Sequence, residues 1–241
     1  MIAFGATMMG AFVGGSSSLI LFPLLLLLFG GPYVSLFAVN KISATIMTLV
    51  AALVHRTRMT FDMKLLSWLS IFYFIGTVLG TYLLQYQFDE NLFKTLLGAV
   101  IFITSFYLFF SGGRGLQDDE DFEMTTLLWF FSAIFFAGTG VLNGIFSGLG
   151  IMMTLFLVFF CRMSCITATG YMMVMGLVTG IPQTLYLLWS VDVDLGLVMA
   201  VVVGALFGAY VGTHLQYLKG NAAIKRTATF VLIMIGLAMF F

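Results

Sequence analysis

Residues Gly10–Pro23 read GAFVGGSSSLILFP and interrupt a long apolar run with three glycines, three consecutive serines and a proline. Glycine and serine weaken a helix, and proline removes a backbone hydrogen-bond donor. A helix break inside a lipid bilayer is tolerated only where it is buried in protein or lines a cavity. A degenerate copy, GIFSGLGIMMTLFL, occurs at Gly144–Leu157. Two interrupted hydrophobic segments in corresponding places of two halves indicate the binding site of a transporter.

The composition indicates a multi-pass α-helical membrane protein. Of the 241 residues, 61% are hydrophobic and 8% are charged, and the apolar runs are long enough to span a lipid bilayer. Ten basic and ten acidic residues cancel, so the chain is not predicted to bind nucleic acid. We expect it in a plasma or inner membrane. It lacks the basic start of a signal peptide and begins almost inside an apolar segment, which leaves room for a short leading segment before Met1.

The two cysteines, Cys161 and Cys165, lie one helical turn apart. A disulfide between them would join nothing distant, and no set of metal ligands accompanies them. We therefore interpret them as ordinary thiols, and we predict neither a metal site nor a cofactor.

Charges and turn residues divide the chain into hydrophobic segments, most of which fit one membrane crossing. The fifth does not, because a helix of roughly 36 residues would be about 54 Å long, whereas the hydrocarbon core is about 30 Å thick. We predict that it turns back within Gly138–Gly150 and that the long first segment breaks at Gly14–Ser18. The eight segments are approximately 2–29, 35–55, 64–86, 92–111, 125–160, 165–189, 194–218 and 224–241.

The positions of the basic residues support this turn. If all eight segments crossed the membrane, four basic residues would lie on one side and six on the other, which favours no orientation. If the fifth segment enters and leaves on one side, eight oppose two, which is a clear positive-inside signal. By analogy, we predict that the first segment is a hairpin that opens to the outside. The predicted cytoplasmic residues are Arg56, Arg58, Lys64, Arg114, Arg162, Lys219, Lys225 and Arg226, against Lys41 and Lys94.

An internal repeat supports the same architecture. Matching positions recur at offsets of 130 to 134 residues, for example Gly76 and Gly80 with Gly208 and Gly212. A half that contains one hairpin and three crossings changes sides, so the second copy is inverted. We predict an all-α polytopic membrane protein with two inverted repeats, each a re-entrant helical hairpin plus three transmembrane helices. The repeats would span 1–112 and 125–241, joined by an acidic cytoplasmic linker at 113–124.

The chain resembles the TauE/SafE family of membrane permeases over essentially its whole length. The resemblance consists of a glycine-rich segment that ends in proline (Gly14–Pro23), an A-x-x-N-K motif (Ala38–Lys41) and a G-x-x-x-G motif (Gly76–Gly80), all with degenerate copies. The family's glycine triplet is Ser16–Ser18 here, and its second-half triplet is reduced to Gly148-Leu149-Gly150. The resemblance implies transport, often export, of sulfite, sulfonates such as sulfoacetate, and related small anions.

The two breaks supply most of the predicted substrate-binding residues. The serines would open the returning half of the first hairpin, where free N–H groups and the helix dipole attract anions. The alternative is that glycine and serine only allow close helix packing. The second break inherits the same interpretation, with an asparagine and a serine as further polar contacts. The residues are Gly14, Gly15, Ser16, Ser17, Ser18, Asn143, Ser147, Gly148 and Gly150.

Four further substrate-binding residues lie on neighbouring helices. A lysine at the bilayer centre costs about 2.5–3.5 kcal/mol, so Lys41 is predicted to pair with the anion unless it snorkels to the outer surface. Asn40 belongs to the same motif. The hydroxyls of Thr167 and Thr169 either face the cavity or cap their helix. His214, near the end of a segment, is either a proton-coupling residue or an interfacial histidine.

These patterns predict a secondary transporter, not an enzyme, that moves a small anion by alternating access. The possible coupling ions are H+ and Na+, and the possible assembly is a homo-oligomer. An anion channel of the same architecture is the alternative. An intramembrane serine protease would need a pair such as Ser147 and His214, but Ile145 stands where a glycine is expected. A purely structural membrane protein would have no need of two helix interruptions.

Overall fold

The computed structural model describes residues 1–15, 17–30, 32–83, 113–119 and 122–238. In these ranges the chain is all-helical, as predicted; five helices are long and apolar enough to cross a membrane, and three are shorter apolar helices. The predicted segment 92–111 lies outside the described residues. The helices are α1 (Ile2–Val13), α2 (Ser17–Phe29), α3 (Tyr33–Arg56), α4 (Met63–Leu83), α5 (Thr126–Phe146), α6 (Gly150–Phe160), α7 (Cys165–Ser190) and α8 (Leu195–Ala238).

The first hairpin, α1–α2, breaks within the predicted stretch. Gly14 and Gly15 both adopt a φ of 98°, and their N–H groups donate to the carbonyl oxygen of Gly10 at 3.0 and 2.7 Å. Two successive residues with positive φ are accessible to glycine without steric cost. The chain then reverses so tightly that a Cβ on Gly10 would overlap Ser17. The sequence therefore ends α1 and begins α2 without a long connecting loop.

The second hairpin, α5–α6, begins and ends at the same end of the molecule. It turns at Ser147 and Gly148, whose φ values are 59° and 99°. Arg162 follows α6 and Asp119 precedes α5, and the two side chains form an ion pair at 2.9 Å. A hairpin whose entry and exit are joined in this way does not cross the molecule, so the predicted turn of the fifth segment is present.

Contacts of several basic side chains mark the same end of the molecule, which we call the charged end. The Arg58 guanidinium lies over the Tyr217 ring, the Lys64 ammonium lies over Trp129, and Lys225 donates to the carbonyl oxygen of Arg114. The last helix, α8, changes direction here at Gly220, which has a φ of 73°. The charged end is thus defined by Arg58, Lys64, Arg114, Arg162 and Lys225. Lys41 is buried elsewhere, and Lys94 lies outside the described residues.

Close packing through glycines joins the two halves of the chain. A Cβ on Gly140 of α5 would lie 2.5 Å from the carbonyl oxygen of Tyr73 on α4, and one on Gly208 of α8 would overlap Phe4 on α1. Helices in lipid associate through such small residues because their backbones can approach closely. Each half therefore packs the first leg of its hairpin against a long helix of the other half. This reciprocal pairing is compatible with the predicted inverted repeat.

Candidate functional site

The tips of the two hairpins meet inside the helix bundle. The Ser147 hydroxyl donates to Ser18 Oγ at 3.0 Å, and the Thr154 hydroxyl of α6 donates to the carbonyl oxygen of Gly14 at 3.1 Å. A Cβ on Gly15 would lie 3.2 Å from the Cα of Gly150. The structure thus brings together two stretches that are separated by more than 100 residues in the sequence.

A small cavity of about 40 Å³ lies where the tips meet, with room for roughly three water molecules. Its walls come from both tips and from α3, α4 and α7. Hydroxyl groups and two side-chain amides dominate the polar part of the lining, and among the described residues that line it Lys41 is the one basic residue. The polar lining residues are Ser17, Ser18, Lys41, Thr45, Thr48, Tyr73, Asn143, Ser147, Thr179 and Gln183.

Lys41 is buried and does not reach the surface. It is 4% exposed, and its Nζ donates to the carbonyl oxygen of Asn143 at 3.0 Å. The same atom lies 5.6 Å from the centre of the Phe37 ring. Among the ion pairs found in the described ranges, none involves Lys41. A buried lysine with no carboxylate partner in the described ranges is energetically costly.

Asn143 organises the second tip around this lysine. Its side-chain oxygen accepts from the N–H of Gly148 at 3.2 Å, and its carbonyl oxygen accepts from the N–H of Ser147 at 3.1 Å. Helix α6 begins directly afterwards at Gly150, a lining residue, and no side chain caps its first turn. The uncapped N–H groups and the positive end of the helix dipole therefore lie next to the cavity, where they favour an anion.

Three of the predicted site residues on neighbouring helices lie outside the cavity lining. Asn40 is 1% exposed, and neither polar atom of its side chain has a hydrogen-bond partner in the described structure. Thr169 is also buried, next to Gly14, and its hydroxyl has no hydrogen-bond partner in the part of the chain that the structure describes. Thr167 lies at the start of α7, near the charged end, where its hydroxyl donates to Asp118 at 2.9 Å. Thr167 thus lies in the first turn of α7 but does not cap it, because the capping side chain is that of Ser164, which accepts from the N–H of Thr167.

The remaining predicted residues differ in whether they line the cavity. His214 is half-buried on α8, and its Nδ1 lies 3.0 Å from the carbonyl oxygen of Tyr210. The Ser147 hydroxyl donates to Ser18 of the first tip, and no hydrogen bond found among the described residues joins Ser147 to His214. Gly14 belongs to the first tip but does not line the cavity, whereas Gly15, Gly148 and Gly150 do. Ser16 lies outside the described residues.

Gln183 is a cavity residue that sequence reasoning passed over. Its Nε2 donates to Thr81 Oγ1 at 2.8 Å and to the carbonyl oxygen of Gly144 at 3.3 Å, while its buried Oε1 has no hydrogen-bond partner among the described residues. Gln183 and Thr179 also line a second cavity of about 330 Å³ between α4 and α7, in the halves of these helices away from the charged end. The feature of the sequence that could have identified this residue is its position, since Gln183 is a polar residue directly after Pro182 in an apolar helix.

Hydrogen bonds to two tyrosines connect helices near the charged end. Nδ1 of the buried His55 lies 2.8 Å from the Tyr217 hydroxyl, which connects α3 to α8. The N–H of Asp62 donates to the Tyr171 hydroxyl at 2.6 Å, which connects the segment after α3 to α7. Two aromatic side chains thus join helices near the charged end, while the larger neighbouring cavity is lined by the halves of α4 and α7 away from that end.

Comparison with known proteins agrees with this architecture. Residues 1–239 match the family described as sulfite exporter TauE/SafE. A protein of Haemophilus influenzae described as a probable membrane transporter protein is 28% identical over 231 residues, which cover 93% of this chain and 86% of the relative. No solved structure matches the chain. The all-helical bundle, the two interrupted hairpins and the match over almost the whole length together show that the chain belongs to the sulfite exporter TauE/SafE family, whose members are integral multi-pass membrane transporters.

Proposed function

We propose that the protein is a secondary transporter that binds one small anion in the cavity between the two hairpin tips. The observation that carries this proposal is Lys41, the one buried lysine of the described residues, which lies between two interrupted helices. Interrupted helices near the middle of a membrane protein are a common construction for transporter substrate sites. A buried cation that lacks a carboxylate partner is a suitable site for an anionic substrate.

The groups around Lys41 can hold an oxyanion from several directions. The lysine supplies the charge, and the hydroxyls of Ser18 and Ser147 supply hydrogen-bond donors from the two tips. The first turn of α6 adds the positive end of a helix dipole. Three oxygen atoms on one sulfur atom match such a set of donors. With the family description of sulfite exporter, this chemistry supports sulfite or an organic sulfonate such as sulfoacetate as the substrate.

Alternating access would use the two ends of the molecule in turn. In this structure, Tyr171 and Tyr217 make hydrogen bonds that connect helices near the charged end, and we propose that such contacts close this end when the opposite end is open. The cavity between α4 and α7 extends in the opposite direction and shares Gln183 with the central cavity. We propose that an anion from the end opposite the charged end enters through this space, and that rocking of one half against the other opens the charged end. By the positive-inside rule, the charged end and the acidic linker at 113–124 would be cytoplasmic.

Counterflow in proteoliposomes tests the proposal. Vesicles loaded with unlabelled sulfite or sulfoacetate should accumulate the labelled anion from outside, and Lys41→Ala and Ser17→Leu should each lose most of this exchange. Two matched variants serve as controls: Lys64→Ala removes a lysine at the charged end, and Ser67→Leu changes an exposed serine of α4. Both controls should exchange like the wild type.

The same experiment separates the proposal from its alternatives. Flux that does not increase when anion is present on the opposite side would indicate a channel, because only a carrier shows trans-stimulation. Folded wild-type protein that exchanges neither anion would contradict the proposed substrate class. Exchange that survives in both Lys41→Ala and Ser17→Leu would keep the carrier but place its site outside this cavity.

A further inference from the structure

The lysine of the central cavity has no negatively charged neighbour among the described residues around it. The described groups that line the cavity offer hydroxyls from α2, one phenol (Tyr73) from α4, the amide of Asn143 from α5, and threonine and glutamine side chains from α7. On α3 itself, the other lining residues are alanine, methionine and threonine. Lys41 and Tyr73 are therefore the two titratable groups that these elements direct at the cavity.

An isolated buried charge is unfavourable, and this lysine has little to compensate for it. The partners found for its Nζ are one carbonyl oxygen at 3.0 Å and one aromatic ring at 5.6 Å. Neither carries a negative charge, and a buried Tyr73 phenol stays neutral because its ionised form would also be isolated. A neutral amine can still donate the hydrogen bond to Asn143. The empty cavity consequently favours an uncharged Lys41, whereas a bound anion would favour the ammonium form.

We propose that Lys41 takes up one proton from water when the anion binds, so that proton and anion occupy the cavity together. This inference rests on the proposed function, since it needs an anion in this cavity. On binding, one N–H bond forms at Nζ while one O–H bond of a hydronium ion breaks. When the anion leaves, that N–H bond breaks and an O–H bond of hydronium forms again, and no electrons are transferred. Lys41 would therefore act as both the anion ligand and the proton carrier.

This arrangement gives a coupling mechanism that needs no carboxylate in the cavity. The other group considered for proton coupling, His214, lies half-buried on α8 beside Tyr210 and does not line the cavity. A monovalent anion that moves with the lysine-bound proton would be transported without net charge. A divalent anion such as sulfoacetate would move with one net negative charge. The direction of transport would then respond to the pH difference across the membrane.

Proton uptake on binding tests the proposal directly. The probe is sulfoacetate, which does not titrate between about pH 6 and pH 9. Calorimetric titration of the purified wild-type protein in two buffers of different ionisation enthalpy reports the number of protons taken up per anion bound. We expect a number that approaches one as pH rises, and an affinity that falls up to tenfold per pH unit above the pH at which the amine of the empty cavity loses its proton.

Lys41→Arg is the informative variant, because a guanidinium keeps its charge at all of these pH values. It should bind sulfoacetate without proton uptake and with an affinity that is independent of pH. Lys64→Ala should retain the wild-type proton uptake, since Lys64 lies at the charged end.

The possible results distinguish proton carriage by Lys41 from the existence of the anion site. Wild-type protein that binds sulfoacetate with no proton uptake, and with an affinity that does not change with pH, would overturn proton carriage by Lys41 and leave the anion site standing. Proton uptake that persists unchanged in Lys41→Arg would also overturn it, since another group would carry the proton. Should Lys41→Arg fail to fold, the wild-type titration in the two buffers still decides. If folded wild-type protein binds neither sulfoacetate nor sulfite, the proposed function itself fails.

Discussion

Nζ of Lys41 lies 3.0 Å from the carbonyl oxygen of Asn143, so a side chain of the first half holds the hairpin tip of the second. The contact has two consequences that oppose each other. It supplies one hydrogen bond to a buried carbonyl group, worth about 1 kcal/mol. It also keeps the strongly hydrated amino group of Lys41 out of water, and this desolvation costs more free energy than one hydrogen bond contributes.

We therefore predict that Lys41→Met leaves the fold intact or stabilises it. Methionine matches the length of the lysine side chain and adapts to irregular cavities. The thermal unfolding midpoint in detergent should stay the same or rise by about 2–4 °C, which corresponds to about 1 kcal/mol for a chain of this size. Sulfoacetate at 100 times its dissociation constant should stabilise the wild type by about 2.7 kcal/mol and the variant not at all. A large drop in the midpoint of Lys41→Met would mean that the lysine is structural.

Two glycines on α5 provide a matched test of the packing between α4 and α5. A Cβ on Gly140 would lie 2.5 Å from the carbonyl oxygen of Tyr73, whereas one on Gly138 would have no atom within 4 Å. Gly140→Ala should therefore destabilise the protein by about 1–3 kcal/mol, because two backbones must separate. Gly138→Ala should be neutral or slightly stabilising, since alanine favours a helix over glycine.

Unfolding midpoints of the two purified glycine variants, measured side by side in one detergent, check this prediction. Equal midpoints would contradict the close approach of α4 and α5.

Most of the architecture could be predicted from the sequence because the residues that determine it act on the backbone conformation. Gly14, Gly15 and Gly148 all adopt positive φ, and glycine is the residue that permits this. Segment length and the positions of basic residues then required the second hairpin to turn back, and Arg162 and Asp119 do join its two ends. Such constraints act locally or through the bilayer, so they can be recognised without knowledge of how the helices pack.

Which side chains face the cavity could not be predicted in the same way. Successive residues of a helix differ in direction by about 100°, so Lys41 lines the cavity while the adjacent Asn40 does not. Helix α3 is apolar or buried around most of its circumference, which removes the polar stripe that would identify its inner face. Gln183 was overlooked for the same reason, since its partners Thr81 and Gly144 are distant in the sequence.

The two cysteines should be unreactive in the folded protein. Both thiols are buried, and burial raises the pKa of Cys161 from 9.0 to about 12. Because the thiolate is the reactive form, labelling of Cys161 by a maleimide at pH 8 should be about 1,000-fold slower than that of a free thiol, and it should accelerate as pH rises toward 12.

Mass spectrometry of the native protein and of the protein unfolded in SDS measures the difference in labelling. Rapid modification of the native protein would contradict the burial of Cys161 and Cys165.

At the second tip, two substitutions of Ser147 distinguish the effect of backbone strain from that of the hydroxyl group. Ser147 adopts a φ of 59° and a ψ of 148°, a conformation that costs a residue with a Cβ about 1–3 kcal/mol and costs glycine little. Ser147→Gly and Ser147→Ala both remove the hydroxyl that donates to Ser18, but only glycine relieves the strain. Ser147→Gly should therefore unfold about 2–12 °C higher than Ser147→Ala.

Loss of one hydrogen bond should weaken sulfoacetate binding about 2- to 10-fold, and by the same factor in both variants. Unfolding midpoints and calorimetric titration of the same two preparations give both quantities. Equal midpoints would show that position 147 is not strained. Wild-type affinity in both variants would show that the hydroxyl does not contact the anion, and it would leave Lys41 and the first turn of α6 as the groups that hold it.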